Sequence, residues 1–62
     1  MTPDQLRDEI ARLGLSQAGA ARLLDVDPRT VRRWATGALP VPRAVELLLA
    51  KLTPSEAQEL SA

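Results

Sequence analysis

Helix-start signals recur along the whole chain, at Thr2-Pro3, Ser16, Asp27-Pro28, Pro42 and Thr53-Pro54. They leave only short segments between them. Thr2-Pro3-Asp4-Gln5 places a hydroxyl at an N-cap, proline at the first helical position, and Gln where it closes a capping box. Thr53-Pro54-Ser55-Glu56 repeats the pattern. Ser16 suits a second cap, Asp27-Pro28 a third, and Pro42 can open a further helix. Apolar neighbours flank three of the caps at staple spacing: Met1 with Leu6, Leu15 with Ala20, and Val26 with Val31.

The apolar period between these signals is helical. Leu6, Ile10 and Leu13 follow i, i+4, i+7 and end at Gly14, a natural residue just past a helix. Ala20, Ala21, Leu23 and Leu24 line a second helix. Val31, Trp34 and Ala35 line a third, which stops at Gly37. Pro40 and Pro42 delimit a connector, and no strand alternation competes. The spacing predicts an all-α, compact bundle of about five short helices over 3–13, 17–24, 28–36, 42–52 and 54–60. Residues 1–62 are expected to form a single domain.

A chain of 62 residues has a small core and ordinarily needs reinforcement. With no Cys and no His, disulfides are excluded and the usual zinc ligands are missing, so no metal or other cofactor is expected. Capped helices and self-association remain. The longest apolar run, Leu47-Leu48-Leu49-Ala50, ends at Lys51, far short of the roughly 18–20 residues of a membrane span. Met1-Thr2-Pro3-Asp4 lacks the basic and apolar regions of a secretory signal. A cytoplasmic protein with no membrane partner is expected. No enzymatic function is expected: there is no His, Cys or Tyr, no phosphate-cradling glycine loop, and no acid pair tied to a pocket.

The formal net charge is zero, but its distribution is uneven. Residues 28–43 hold Arg29, Arg32, Arg33 and Arg43, half of the eight basic residues, and no acid. A local basic patch governs phosphate contact more than the total does. Only Asp25-Val26-Asp27 separates the second helix from the third. A connection this short sets two helices at a steep angle. It asks Val26 to tuck inward and asks for a small residue, Ala21, where the helices approach.

The stretch "LSQAGAARLLDVDPRTVRRWATG", Leu15 to Gly37, resembles the lambda-repressor-like, Cro-like (XRE-type) helix-turn-helix DNA-binding family. Gln17 opens the motif, Ala21 stands at its fifth position, and Ala20, Leu24, Val26, Val31 and Trp34 fill its apolar positions. Gly37 and Pro40 follow the recognition helix as they do in that family. Asp25 departs from the usual turn glycine, although Asp tolerates the left-handed region better than most residues. Gly19 replaces a usually polar helix former. A second resemblance, of "VDPRTVRRWATG" to excisionase and MerR-type regulators, is weakened by the helical continuation "PRAVELLLAKL", where those proteins run into strands.

The resemblance implies double-stranded DNA as partner, with the motif at 16–37 and the third helix in the major groove. The outward face of that helix, opposite Val31, Trp34 and Ala35, carries Pro28, Arg29, Arg32, Arg33 and Thr36. Pro28, Arg29 and Arg33 fall where the family makes base contacts, with Arg32 sharing base and phosphate work. Arginine suits guanine because its planar fork donates to both O6 and N7. Phosphate contacts are expected from Gln17, Thr30, Thr36 and Arg43.

The fourth helix is apolar almost all round, more than one small core can cover. Segment 42–61 is therefore expected to make a homodimer through Val45, Leu47, Leu49, Leu52 and Leu60, with Ala57 as a further candidate. The pattern leaves open which of Leu47 and Leu49 faces outward. Each subunit would read half of an inverted repeat, with centres about one helical turn (~34–36 Å) apart. The family implies a small autorepressor of a phage or mobile-element operon, nucleoid-associated when bound. No second domain, and so no small-molecule ligand, is expected. Two rival readings use the same features: an antitoxin or adaptor whose fourth helix binds another protein, and an excisionase- or MerR-like DNA-binding module.

Overall fold

The computed structural model describes residues 1–61. These form five helices: α1 (Pro3–Arg12), α2 (Gln17–Leu24), α3 (Pro28–Thr36), α4 (Arg43–Lys51) and α5 (Pro54–Ser61). The fold is an all-α bundle. α3 packs against α2 and α1, α4 against α1, and α5 against α2.

Local chemistry sets the helix starts. Thr2 Oγ1 accepts from the Gln5 amide at 3.1 Å while the Thr2 amide donates to Gln5 Oε1 at 2.8 Å, which completes a capping box on α1. Thr53 and Glu56 make the same reciprocal pair on α5, at 3.2 and 3.1 Å. Ser16 Oγ accepts from the Gly19 amide at 2.9 Å, and Asp27 Oδ1 from the Arg29 amide at 2.8 Å. Such caps are worth about 0.5–2 kcal/mol each, a large share of the stability of so small a domain. α4 starts one residue later than its sequence suggests. Pro42 sits at the N-cap with extended backbone (φ −60°, ψ 144°) and supplies no side-chain cap.

The helix ends use the left-handed region. Gly14 (φ 71°) closes α1, with its amide bonded to the Ala11 carbonyl and the Leu15 amide to the Ile10 carbonyl, both at 3.0 Å. This is the paired bonding that terminates many helices. Asp25 (φ 56°, ψ 48°) ends α2 with the same pattern, the Val26 amide reaching the Ala21 carbonyl at 3.0 Å. Its left-handed backbone was the tolerance expected of this residue. The conformation still costs an L-residue about 1 kcal/mol more than glycine. Asp25→Gly is therefore expected to raise the melting temperature by about 4–8 °C. A thermal melt followed by circular dichroism checks this, and an unchanged or lower midpoint would contradict it.

Every helix contributes to one core. Leu6, Ile10 and Leu13 come from the α1 side, Ala20 and Ala21 from α2, and Val31, Trp34 and Ala35 from α3; Leu49, Leu52 and Ala57 complete it. Met1, Leu15 and Val26, the outer members of the expected staples, are half-buried against it. Leu24 and Val26 lie at its margin rather than inside. The radius of gyration, 10.2 Å, is close to the ~10.6 Å expected of a packed domain of this length.

The α4 face corrects the expected interface. Leu49 is fully buried and Leu52 is 8% exposed, so neither faces a partner. Val45, half-buried, packs against the same core. Val45, Leu49 and Leu52 follow i, i+4, i+7 and form the inward stripe. Leu47 and Leu48 point outward at 46% and 42% exposure, and Leu60 of α5 is 58% exposed. Ala57 is core.

Candidate nucleic-acid interface

α3 divides into two faces. Val31, Trp34 and Ala35 go inward, and Pro28, Arg29, Arg32, Arg33 and Thr36 are all exposed. The helix is held from both ends. Asp27 caps its start, with the Thr30 amide also bonded to the Asp27 carbonyl at 2.9 Å. At its end Gly37 (φ 86°) turns the chain close against Pro3. Arg7, paired with Asp4, donates to the Ala35 carbonyl there. The basic face is thus carried on a helix fixed to α1 and α2.

Six of the seven arginines fall into two groups. Arg7, Arg12 and Arg22 serve the fold by capping the carbonyl ends of neighbouring helices. Arg12 Nη2 donates to the Leu49 and Leu52 carbonyls at 3.0 and 3.1 Å and is oriented by Glu9. The hydrogen bond to Glu9 raises the Arg12 pKa above its ordinary value. Arg22 Nε donates to the Ser61 carbonyl at 3.2 Å. Gln58 does the same work for α1, with Nε2 donating to the Leu13 and Gly14 carbonyls at 3.2 and 3.0 Å. Positive groups at these ends also match the helix dipole. These roles are not legible in the sequence, because each capped carbonyl lies tens of residues away.

Arg29, Arg32 and Arg33 have no such employment. Among the described residues none of their side chains makes a hydrogen bond or ion pair. Three adjacent guanidinium groups on one exposed helix face are left with all their donors free. Comparison with family models, with curated proteins and with solved structures finds no match to this chain. The geometry of the site is therefore the ground on which its function is read.

The remaining sequence candidates lie around this face unequally. Gln17 is exposed at the start of α2. α2 has no acidic residue in its first turn, whereas α1 carries Asp4, α4 Glu46 and α5 Glu56 there, and α3 starts on Asp27. Thr30 is half-buried. Thr36 Oγ1 donates to the Arg33 carbonyl at 3.2 Å. Arg43 is exposed but lies 3.7 Å from Glu46, a weak surface pairing.

A cleft of about 450 Å³ opens between α1 and α4, away from α3. Its charged lining is largely paired internally, the Met1 amine with Glu46 at 3.3 Å and Arg12 with Glu9 at 3.0 Å. Among the described residues no three His, Cys, Asp or Glu side chains come together as metal ligands. Among the described residues no helix is long and apolar enough to cross a membrane.

Proposed function

We propose that this protein is a sequence-specific, double-stranded-DNA-binding transcriptional regulator, with α2 and α3 forming a helix-turn-helix and α3 entering the major groove. The observation that carries this reading is the set of three unpartnered arginines, Arg29, Arg32 and Arg33, on the exposed face of a helix fixed at both ends. The three-residue turn with its left-handed Asp25, and the buried Ala20 and Ala21 on α2, support it. Arg29 and Arg33 read base edges beside Pro28, and Arg32 shares base and phosphate contact. The amides and Gln17 at the acid-free start of α2 meet a phosphate. Thr30, Thr36 and Arg43 take further backbone contacts.

The test is a titration of labelled duplex DNA at several salt concentrations. The reading requires binding whose logarithm falls linearly with the logarithm of salt, together with a preference among sequences at fixed salt. Salt-sensitive binding without any preference would reduce the protein to a non-specific binder.

In this reading the active species is a homodimer on an inverted repeat, acting as a cytoplasmic repressor of a small phage or mobile-element operon without a small-molecule effector. One module covers little DNA, about 600–1,000 Å² of protein surface, and pairing makes the second half-site contact nearly intramolecular. Leu47 and Leu48 of α4, with Leu60 of α5, are exposed apolar side chains available for it. Leu47→Glu and Leu48→Glu are expected to leave a folded monomer with at least tenfold weaker binding to a two-half-site duplex. Leu49→Glu is expected to unfold the chain. Sedimentation across a concentration range separates these outcomes, and a wild type that stays monomeric on DNA would remove the dimer. The same exposed leucines favour one other reading, an antitoxin or adaptor that binds a different protein through α4. That reading expects co-purification with a larger, neighbour-encoded protein.

A further inference from the structure

Four helices begin on side-chain caps, and three of the caps are neutral hydroxyls: Thr2, Ser16 and Thr53. α3 alone begins on a carboxylate. Asp27 Oδ1 accepts from the Arg29 amide at 2.8 Å, the residue is exposed, and among the described residues Oδ2 takes no hydrogen bond. Capping does not need this charge, because Ser and Asn cap about as well as Asp. On a helix proposed to enter the groove of a polyanion, a fixed negative charge at the leading end repels phosphate. The helix dipole favours a negative charge at this end with or without DNA; against the DNA the carboxylate gains only where it meets a donor on a base edge.

The major groove offers such a donor in the cytosine N4 amino group, which carboxylates accept from, while the paired guanine presents the two acceptors that suit arginine. Arg29 stands two residues from Asp27 at the same end of α3. One end of the helix thus carries both halves of the chemistry that distinguishes a G·C pair and its orientation. We infer that Asp27 is a specificity-determining residue: its carboxylate accepts from a cytosine N4 amino group beside the base pairs read by Arg29 and Arg33, and its charge disfavours complexes seated on the phosphates. This rests on the proposed placement of α3 in the groove.

The test uses the preferred duplex selected by the wild type, a panel of its single-base-pair replacements, and an unrelated duplex. Asp27→Asn keeps the cap acceptor and removes the charge; Asp27→Ser, matching Ser16, is the second variant should Asn fail to fold. Asp25→Asn, which the left-handed region tolerates, removes the neighbouring charge as a control. The wild type is expected to show one C·G position whose replacement costs about tenfold or more. In the Asp27 variants that discrimination falls to about threefold or less, discrimination elsewhere is kept, and binding to the unrelated duplex tightens several-fold. Asp25→Asn is expected to leave the discrimination profile intact. An unchanged profile in the Asp27 variants, or a uniform change equal to that of Asp25→Asn, overturns the inference while leaving the DNA-binding reading standing. A wild type with no preference on any duplex overturns both, and shows it before any variant is made.

Discussion

Trp34→Ala is expected to unfold the domain. Trp34 is 5% exposed and sits with Val31 and Ala35 on the inward face of α3, where α3 meets α1 and α2. Truncating a buried tryptophan typically costs about 3–5 kcal/mol, through lost burial and the cavity left behind. A chain of this length holds a reserve of only about 3–9 kcal/mol. The variant should lose its cooperative melt and most of its helical circular dichroism. The chain has one tryptophan, so emission from Trp34 reports the same transition in the wild type. A Trp34→Ala protein that stayed folded and lost only DNA binding would make the ring a contact residue.

The second large effect separates the two groups of arginines. Arg29→Ala and Arg33→Ala are each expected to cost about 1–3 kcal/mol on the preferred site and to relax preference for particular base pairs. Their melting temperatures should stay at the wild-type value, because neither side chain bonds within the chain. Arg12→Ala should behave in the opposite way, with lower stability, because it frees the carbonyl end of α4. Arg43→Ala is expected to weaken all sequences about equally. Fluorescence anisotropy on a panel of duplexes, paired with thermal melts of the same variants, checks the pattern. Equal, sequence-independent losses for Arg29, Arg33 and Arg43 would remove the base-reading assignment.

What could be read from the sequence follows the range of the interactions. Thr2 with Gln5 and Thr53 with Glu56 are three residues apart, so caps and helix starts are visible in the chain itself. The bounds of α2 and α3 are legible for the same reason: Ser16, Asp25, Asp27 and Gly37 punctuate them. The exposed arginine face is the complement of Val31, Trp34 and Ala35, which periodicity supplies. The inward face of α4 was not legible. Val45, Leu47, Leu49 and Leu52 surround most of a helix that is apolar almost all round, and choosing between Leu47 and Leu49 depends on how α4 docks on α1. Arg12 holds that docking from 37 and 40 residues away. The separation of structural from free arginines was hidden in the same way, since Arg7, Arg12 and Arg22 find their partners only after the bundle closes.

Selection of bound duplexes from a random pool at physiological salt decides whether α3 reads DNA. The expected result is enrichment of an inverted repeat with half-site centres about one helical turn (~10–10.5 bp) apart and G·C pairs at its strongest positions. An Arg29→Ala, Arg33→Ala double variant should fail to enrich it. Recovery of the pool without any enriched sequence, or the same enriched sequence from wild type and double variant, would contradict the claim that α3 reads DNA.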